Sequence, residues 1–315
     1  MELIPYVVAY IAVGIFVIAC LARFFMWSRM PMHMRWELYP VAHEPGRAHY
    51  GGSYLEEVDW WKKPRESSLW GELKAMVPEI LFLVALKENN KKMWNVSFPF
   101  HFGLYLVIGC TALMMGTAVL GAISPSIMAG GFGKLLRVAI MACGYGGLGL
   151  SLLGALGLLS RRLGDAELKD FTSPADIFNL VFFLLAFGFT LANLVLFDRD
   201  FSRSFAFVYG LVTFNMVPLP GGSTQAWMTT ISVILMGALV AYIPMTHMSH
   251  FIGKYFAYHA IRWNDAPNLK GGDQEAPIND LLHRPVSWSA PHIQGDGKKT
   301  WADVATRDFS KGNTQ

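Results

Sequence analysis

Residues 93–133 read MWNVSFPFHFGLYLVIGCTALMMGTAVLGAISPSIMAGGFG, without one Asp, Glu, Lys or Arg. A helix needs about 20 apolar residues to cross the hydrocarbon core of a bilayer, so this run has length to spare. Four further stretches are equally free of charge: Leu3 to Ala22, Val138 to Ser160, Ile177 to Phe197 and Ser204 to Gly253. Of the 315 residues 53% are hydrophobic and only 16% charged, against about 25% charged in soluble domains. The pattern predicts an all-α integral membrane protein, a five-transmembrane-helix bundle with spans at about 3–27, 98–123, 136–160, 177–197 and 226–253. The first span is too long for a secretory leader and lacks a small-residue cleavage site before Arg23, so it reads as a retained anchor.

Five spans place the termini on opposite sides. Of the 26 Lys and Arg residues, 22 fall at Arg23, in the connection 28–97, between the third and fourth spans, and after Gly253; the other two connections hold only Lys134, Arg137, Arg199 and Arg203. Cytoplasmic loops carry the Lys and Arg excess, so the N-terminus is expected outside and the C-terminus cytoplasmic. The same spreading over loops gives no basic stripe and hence no case for nucleic acid. The organisation expected is a first span, 1–27; a cytoplasmic loop, 28–97; spans two to five, 98–253; and a cytoplasmic tail, 254–315.

Within the loop, Pro78 to Leu86 is apolar and ends at Lys87, which predicts a short interfacial helix, with Trp60, Trp61, Trp70 and Trp94 at headgroup depth. Residues 204–217 are apolar too, and Pro218, Pro220, Gly221 and Gly222 forbid a continuous helix into the fifth span, so they read as a second membrane-surface element. The tail scatters Pro and Gly among polar residues and can form no core of its own. Its Trp288, Trp301 and Phe309 are instead rigid anchors suited to wrapping a partner. Cys20, Cys110 and Cys143 lie apart in apolar stretches and form neither C-x-x-C nor C-x-x-C-H, which excludes an iron–sulfur cluster on this chain alone and a covalent c-type haem.

Ionisable side chains inside spans are rare and mark function. Three histidines qualify: His101 near the start of the second span, and His247 and His250 in the last two turns of the fifth. With opposite helix directions they share one depth. Two imidazoles from facing helices are what a b-type haem requires, and Gly103 would let the ring approach the backbone. Interhelical hydrogen bonds or a proton relay use the same residues. A divalent-metal site is disfavoured because no carboxylate in the spans accompanies the histidines. His33, His43, His49, His259, His283 and His292 fall in aqueous segments and receive no chemistry. The glycine-rich run 144–149 lies within a span and fails the context of a dinucleotide loop. Gly147, Ser151 and Ala155, four residues apart, form a small-residue stripe at which membrane helices touch.

Five spans, FHFG opening the second (100–103), and THMSHF (246–251) with KYF (254–256) closing the fifth resemble the nitrate reductase gamma-subunit-like cytochromes b. The likeness is greatest to the branch found in membrane complexes of sulfate reducers and related anaerobes, to which the tail segment SAPHIQGDGKKTW (289–301) is also similar. The resemblance implies a prokaryotic cytoplasmic (inner) membrane, electron exchange with menaquinone, and a heterodisulfide-reductase-like iron–sulfur subunit as cytoplasmic partner, alongside further subunits. It implies His101 and His250 as the axial iron ligands. His247 stands where the nitrate reductase branch has Arg, and a register shift would make it the ligand instead. The family's second haem would need histidines near Thr111 and Ser232, so one haem b is expected, not two. Arg23, Arg162 and Lys254 are the cations available to haem propionates. The competing readings are a haem-free membrane anchor for a soluble redox enzyme and a transporter. The latter is disfavoured because neither a broken-helix pair nor an internal repeat is present.

Overall fold

The computed structural model describes residues 3–30, 41–44, 46–64, 66–218, 222–264, 266–288, 293 and 296–307. In chain order the helices are α1 (Ile4–Ser28), α2 (Leu69–Phe82), α3 (Val84–Asn89), α4 (Lys91–Ile123), α5 (Pro125–Ala129), α6 (Gly131–Gly164) and α7 (Ala166–Lys169). They continue as α8 (Pro174–Phe197), α9 (Ser202–Thr213), α10 (Ser223–Tyr242), α11 (His250–Phe256), α12 (Glu275–Leu282) and α13 (Trp301–Ala305). Among the described residues there is no strand, and one isolated antiparallel bridge pairs Pro285 with Thr300. Five helices, α1, α4, α6, α8 and α10, are long and apolar enough to cross a membrane. Their large apolar side chains point outward, with Ile18 at 70%, Ile108 at 65% and Leu153 at 67% exposure. Water would penalise such a surface; hydrocarbon does not.

The chain divides into two compact units, Met1–Leu21 with Ala75–Ser249, and Ala22–Lys74 with His250–Gln315. The first is built on α4 and α6, whose backbones meet at small residues. A Cβ on Gly103 would strike Ser151 and the Gly147 carbonyl, one on Gly147 would come within 2.8 Å of the Val107 nitrogen, and one on Gly154 would strike the Phe100 backbone. Ser151 is fully buried and its hydroxyl donates to the Phe100 carbonyl at 3.4 Å. The expected stripe of Gly147, Ser151 and Ala155 is thus the α4-facing side of α6. Phe100, Leu148, Phe183, Phe187 and Leu239 fill the core beside it.

Helix boundaries differ from the apolar windows where caps extend the backbone ladder. α4 starts at Asn90, whose side chain accepts from the Met93 N–H, and α8 starts at Ser173, which forms a reciprocal capping box with Asp176 ahead of Pro174. The fifth span ends earlier than expected. Its α-helix stops at Tyr242, because Pro244 cannot donate to the ladder, and the chain continues as two 3-10 turns, Ile243–Met245 and His247–Ser249. The interfacial helix expected at Pro78 to Leu86 is instead two helices, α2 and α3, broken at Leu83, which adopts φ 51°. Carbonyls near that break are taken up by the second span: Tyr105 donates to Ile80 O at 2.7 Å and Trp94 to Phe82 O at 2.8 Å. The apolar segment 204–217 is mostly helix α9, which packs on α4 and is tied to α1 by Tyr10 donating to Leu211 O and Tyr6 to Val217 O. Pro220 and Gly221 lie outside the described residues.

The second unit has a core that the tail composition does not suggest. Val286 is fully buried, its N–H donates to Lys299 O at 2.8 Å, and the Trp301 N–H donates to Arg284 O at 3.1 Å. The Trp288 and Trp301 rings pack at 6.3 Å. The tail thus forms a local hairpin-like pairing, with Trp288 still 45% exposed; Phe309 lies outside the described residues.

Candidate functional site

His101 occupies the third turn of α4, just past Pro99. Its Nδ1 lies 2.8 Å from the Ser97 carbonyl oxygen, four residues back, and 3.3 Å from the Ser97 hydroxyl. A carbonyl oxygen can only accept, so Nδ1 carries the proton and Nε2 of the neutral ring carries the lone pair. This is the tautomer and the backbone restraint found at histidines that ligate metal through Nε2. The Phe100 and His101 rings stand nearly perpendicular, with centroids 5.5 Å apart.

The other residues expected at the site are placed differently from expectation. Gly103 does not open a face for a flat ring, because its bare Cα is consumed by contact with Ser151 and Gly147. His247 and His250 are not on the fifth-span helix but beyond Pro244, in the second 3-10 turn and at the first residue of α11. The segment is held by its own hydroxyls: Thr246 Oγ1 accepts from the Met248 N–H at 3.1 Å, and Ser249 Oγ donates to Thr246 O at 2.7 Å. Within the first unit, His247 Nε2 lies 3.5 Å from Asp176 Oδ1 and 3.4 Å from Asn179 Nδ2. Asp176 also faces Arg162 at 3.5 Å, and Tyr242 donates to Asn179 Oδ1 at 2.9 Å. A carboxylate therefore does accompany a histidine, at the first turn of α8. Arg162, expected to meet a propionate, faces this carboxylate and the Thr172 hydroxyl. In the second unit, Arg23 lies over the Trp27 ring at 6.0 Å, and Gly253, next to Lys254, approaches the same indole.

The Asp176 cluster is the part of the arrangement that sequence reasoning missed. Its signal was legible as Ser173-Pro174-Ala175-Asp176, a capping-box spacing one residue short of the charge-free window. A second omission is His259, in a π-helical turn at Ala257–Arg262, a geometry frequent at functional sites. Its Nδ1 donates to Tyr255 O at 2.9 Å, and its Nε2 lies 3.5 Å from Glu72. With buried His43 it lines a cavity of about 510 Å³ in the second unit.

Thr111 and Ser232, where a second haem would need ligands, have their hydroxyls committed to protein, Thr111 to Val107 O at 3.0 Å and Ser232 to Thr190 Oγ1 at 2.9 Å. Among the described residues no three His, Cys, Asp or Glu side chains converge as a metal centre would need. A bis-histidine haem needs only two nitrogen donors, and the donor chemistry of His101 fits one of them.

The fold and its apolar surface define an all-α, multi-pass membrane protein. No protein family, curated protein or solved structure matches the chain.

Proposed function

We propose that this protein is a membrane cytochrome b that relays electrons between the menaquinone pool and a cytoplasmic iron–sulfur subunit through one b haem. The observation that carries the reading is His101: an imidazole in a membrane-crossing helix, held by Ser97 O in the tautomer that offers Nε2. By the sequence resemblance, His250 would be the second residue to hold the haem. His247 is better suited to a positioning role, since Asp176 and Asn179 occupy the surroundings of its Nε2. Bound haem supplies reversible one-electron chemistry. The chain orients the imidazole through Ser97 O and packs the Phe100 ring beside it.

A reduced-minus-oxidised visible spectrum of the purified full-length chain tests the reading: low-spin b-haem bands are expected, whereas a haem-free anchor shows none. His247→Ala should retain haem with a shifted midpoint potential, because only the surrounding hydrogen bonds change. Complete loss of haem in that variant would make His247 the ligand.

The proposed orientation has its own test. In right-side-out vesicles an external protease should leave the tail beyond Lys254 intact; cleavage there would reverse the topology drawn from the 22 basic residues on one side. We also propose that the tail docks the iron–sulfur subunit. Truncation after residue 263 should release that partner, and co-purification in full stoichiometry would show the tail to be dispensable.

A further inference from the structure

The first unit contains a second cavity, far along α4 from His101. It measures about 710 Å³ and lies between the C-terminal part of α4, α5, the start of α6 and α9. Thr117 on its wall is 16 positions after His101, which at 1.5 Å per residue is about 24 Å along the helix axis. Its lining divides into two kinds of surface. Met128, Val138, Ile140 and Phe205 make an apolar wall, while Lys134 and Arg137 stand exposed at its rim. Three positions apart on α6, the two cations share a helix face. Among the described residues neither is ion-paired within 4 Å. Asp200 also lines the cavity, and the Ser202 hydrogen bonds hold its carboxyl below the usual carboxylate range, so two cations face one anion there.

The second observation is independent of this charge pattern. Threonine inside a helix ordinarily donates its hydroxyl to the carbonyl four residues back. Here Thr111, Thr190, Thr213 and Thr230 all do so at 2.7–3.0 Å. Thr117 and Thr229 do not: each is 5% exposed, with a buried oxygen that has no hydrogen-bond partner, and of the two it is Thr117 that lines this cavity. A buried hydroxyl left unpaired is costly, so a polar atom from outside the chain is the natural complement.

We propose that this cavity binds an anionic phospholipid, with its phosphate on Lys134 and Arg137, an ester oxygen accepting from the Thr117 hydroxyl and acyl carbons along the apolar wall. A phosphate explains the paired cations, and an attached apolar chain explains the wall between them and Thr117. A quinone, being neutral, accounts for the wall and the hydroxyl but not for two cations. The proposal does not depend on haem or on His101.

The test uses full-length protein in nanodiscs of phosphatidylglycerol or of phosphatidylcholine, transferred to detergent, with retained lipid counted by native mass spectrometry. Wild type should keep one phosphatidylglycerol per chain and no phosphatidylcholine. Lys134→Gln with Arg137→Gln should weaken retention about 25-fold, roughly fivefold for each cation removed. Lys134→Arg with Arg137→Lys should retain the lipid, which separates charge loss from misfolding. Thr117→Val should weaken retention about fivefold, whereas an unpaired hydroxyl without a lipid partner would show only a rise in thermal stability. Equal retention of both lipids, or unchanged retention in the neutral double variant, overturns the proposal. Displacement by millimolar inorganic phosphate would identify a free-phosphate site, and displacement by a naphthoquinone a quinone site; either replaces the lipid.

Discussion

His101→Ala protein is expected to show no b-haem bands, at full expression and with an unchanged far-ultraviolet helix signal. The effect should be all-or-none because, on the proposed reading, His101 would be one of the two residues that hold the haem. The structure separates this outcome from general damage. His101 hydrogen-bonds to Ser97 O within its own helix, and the α4–α6 contact is made by Gly103, Gly147 and Ser151. Removing the imidazole therefore leaves the residues of the α4–α6 contact in place. His250→Ala should have the same spectral result, and a measured stoichiometry of two haems per chain would refute the count that rests on Thr111 and Ser232. Full haem content in the His101 variant would remove His101 from the residues that hold the haem, and absence of haem from the wild type would leave the anchor.

The largest expected effect on folding is at Gly154. In Gly154→Leu the new Cβ alone would overlap the Phe100 backbone, and backbone cannot rotate aside as a side chain can. Overpacking typically costs 1–3 kcal/mol, and more where nothing can yield. A loss of about 3 kcal/mol or more is expected, which few membrane bundles tolerate. The thermal midpoint in detergent should fall by many degrees, and size-exclusion profiles should show aggregate in place of a monodisperse peak. Gly149→Leu is the matched control, on the same helix with nothing within 4 Å of its would-be Cβ. If both variants unfold alike, the bulk of the added side chain anywhere on α6, and not the α4–α6 contact, explains the loss.

Much of this architecture is written locally in the chain. A run such as Leu3 to Ala22 has to become a spanning helix, because in hydrocarbon each backbone N–H must bond within its own segment. The stripe on α6 was legible for a similar reason: helical periodicity puts Gly147, Ser151 and Ala155 on one side whatever the partner is. Neither inference needs long-range information.

What stayed hidden depended on pairings between distant residues. The end of the fifth span looked open because Ile243 to His250 still carries no Asp, Glu, Lys or Arg, yet Pro244 stops the ladder and moves both histidines off the helix. Gly103 looked like a clearance for a ligand, and only the position of α6 shows that Ser151 and Gly147 fill it. Asp176 meeting His247 joins residues 71 apart in sequence. The unpartnered hydroxyl of Thr117 is visible only once every neighbour is placed. Hydropathy and periodicity, being sums over neighbouring residues, determined the five spans and the contact stripe. Which polar atoms meet across those spans depends on helix rotation and on breaks of a single residue, and the tertiary structure alone decided it.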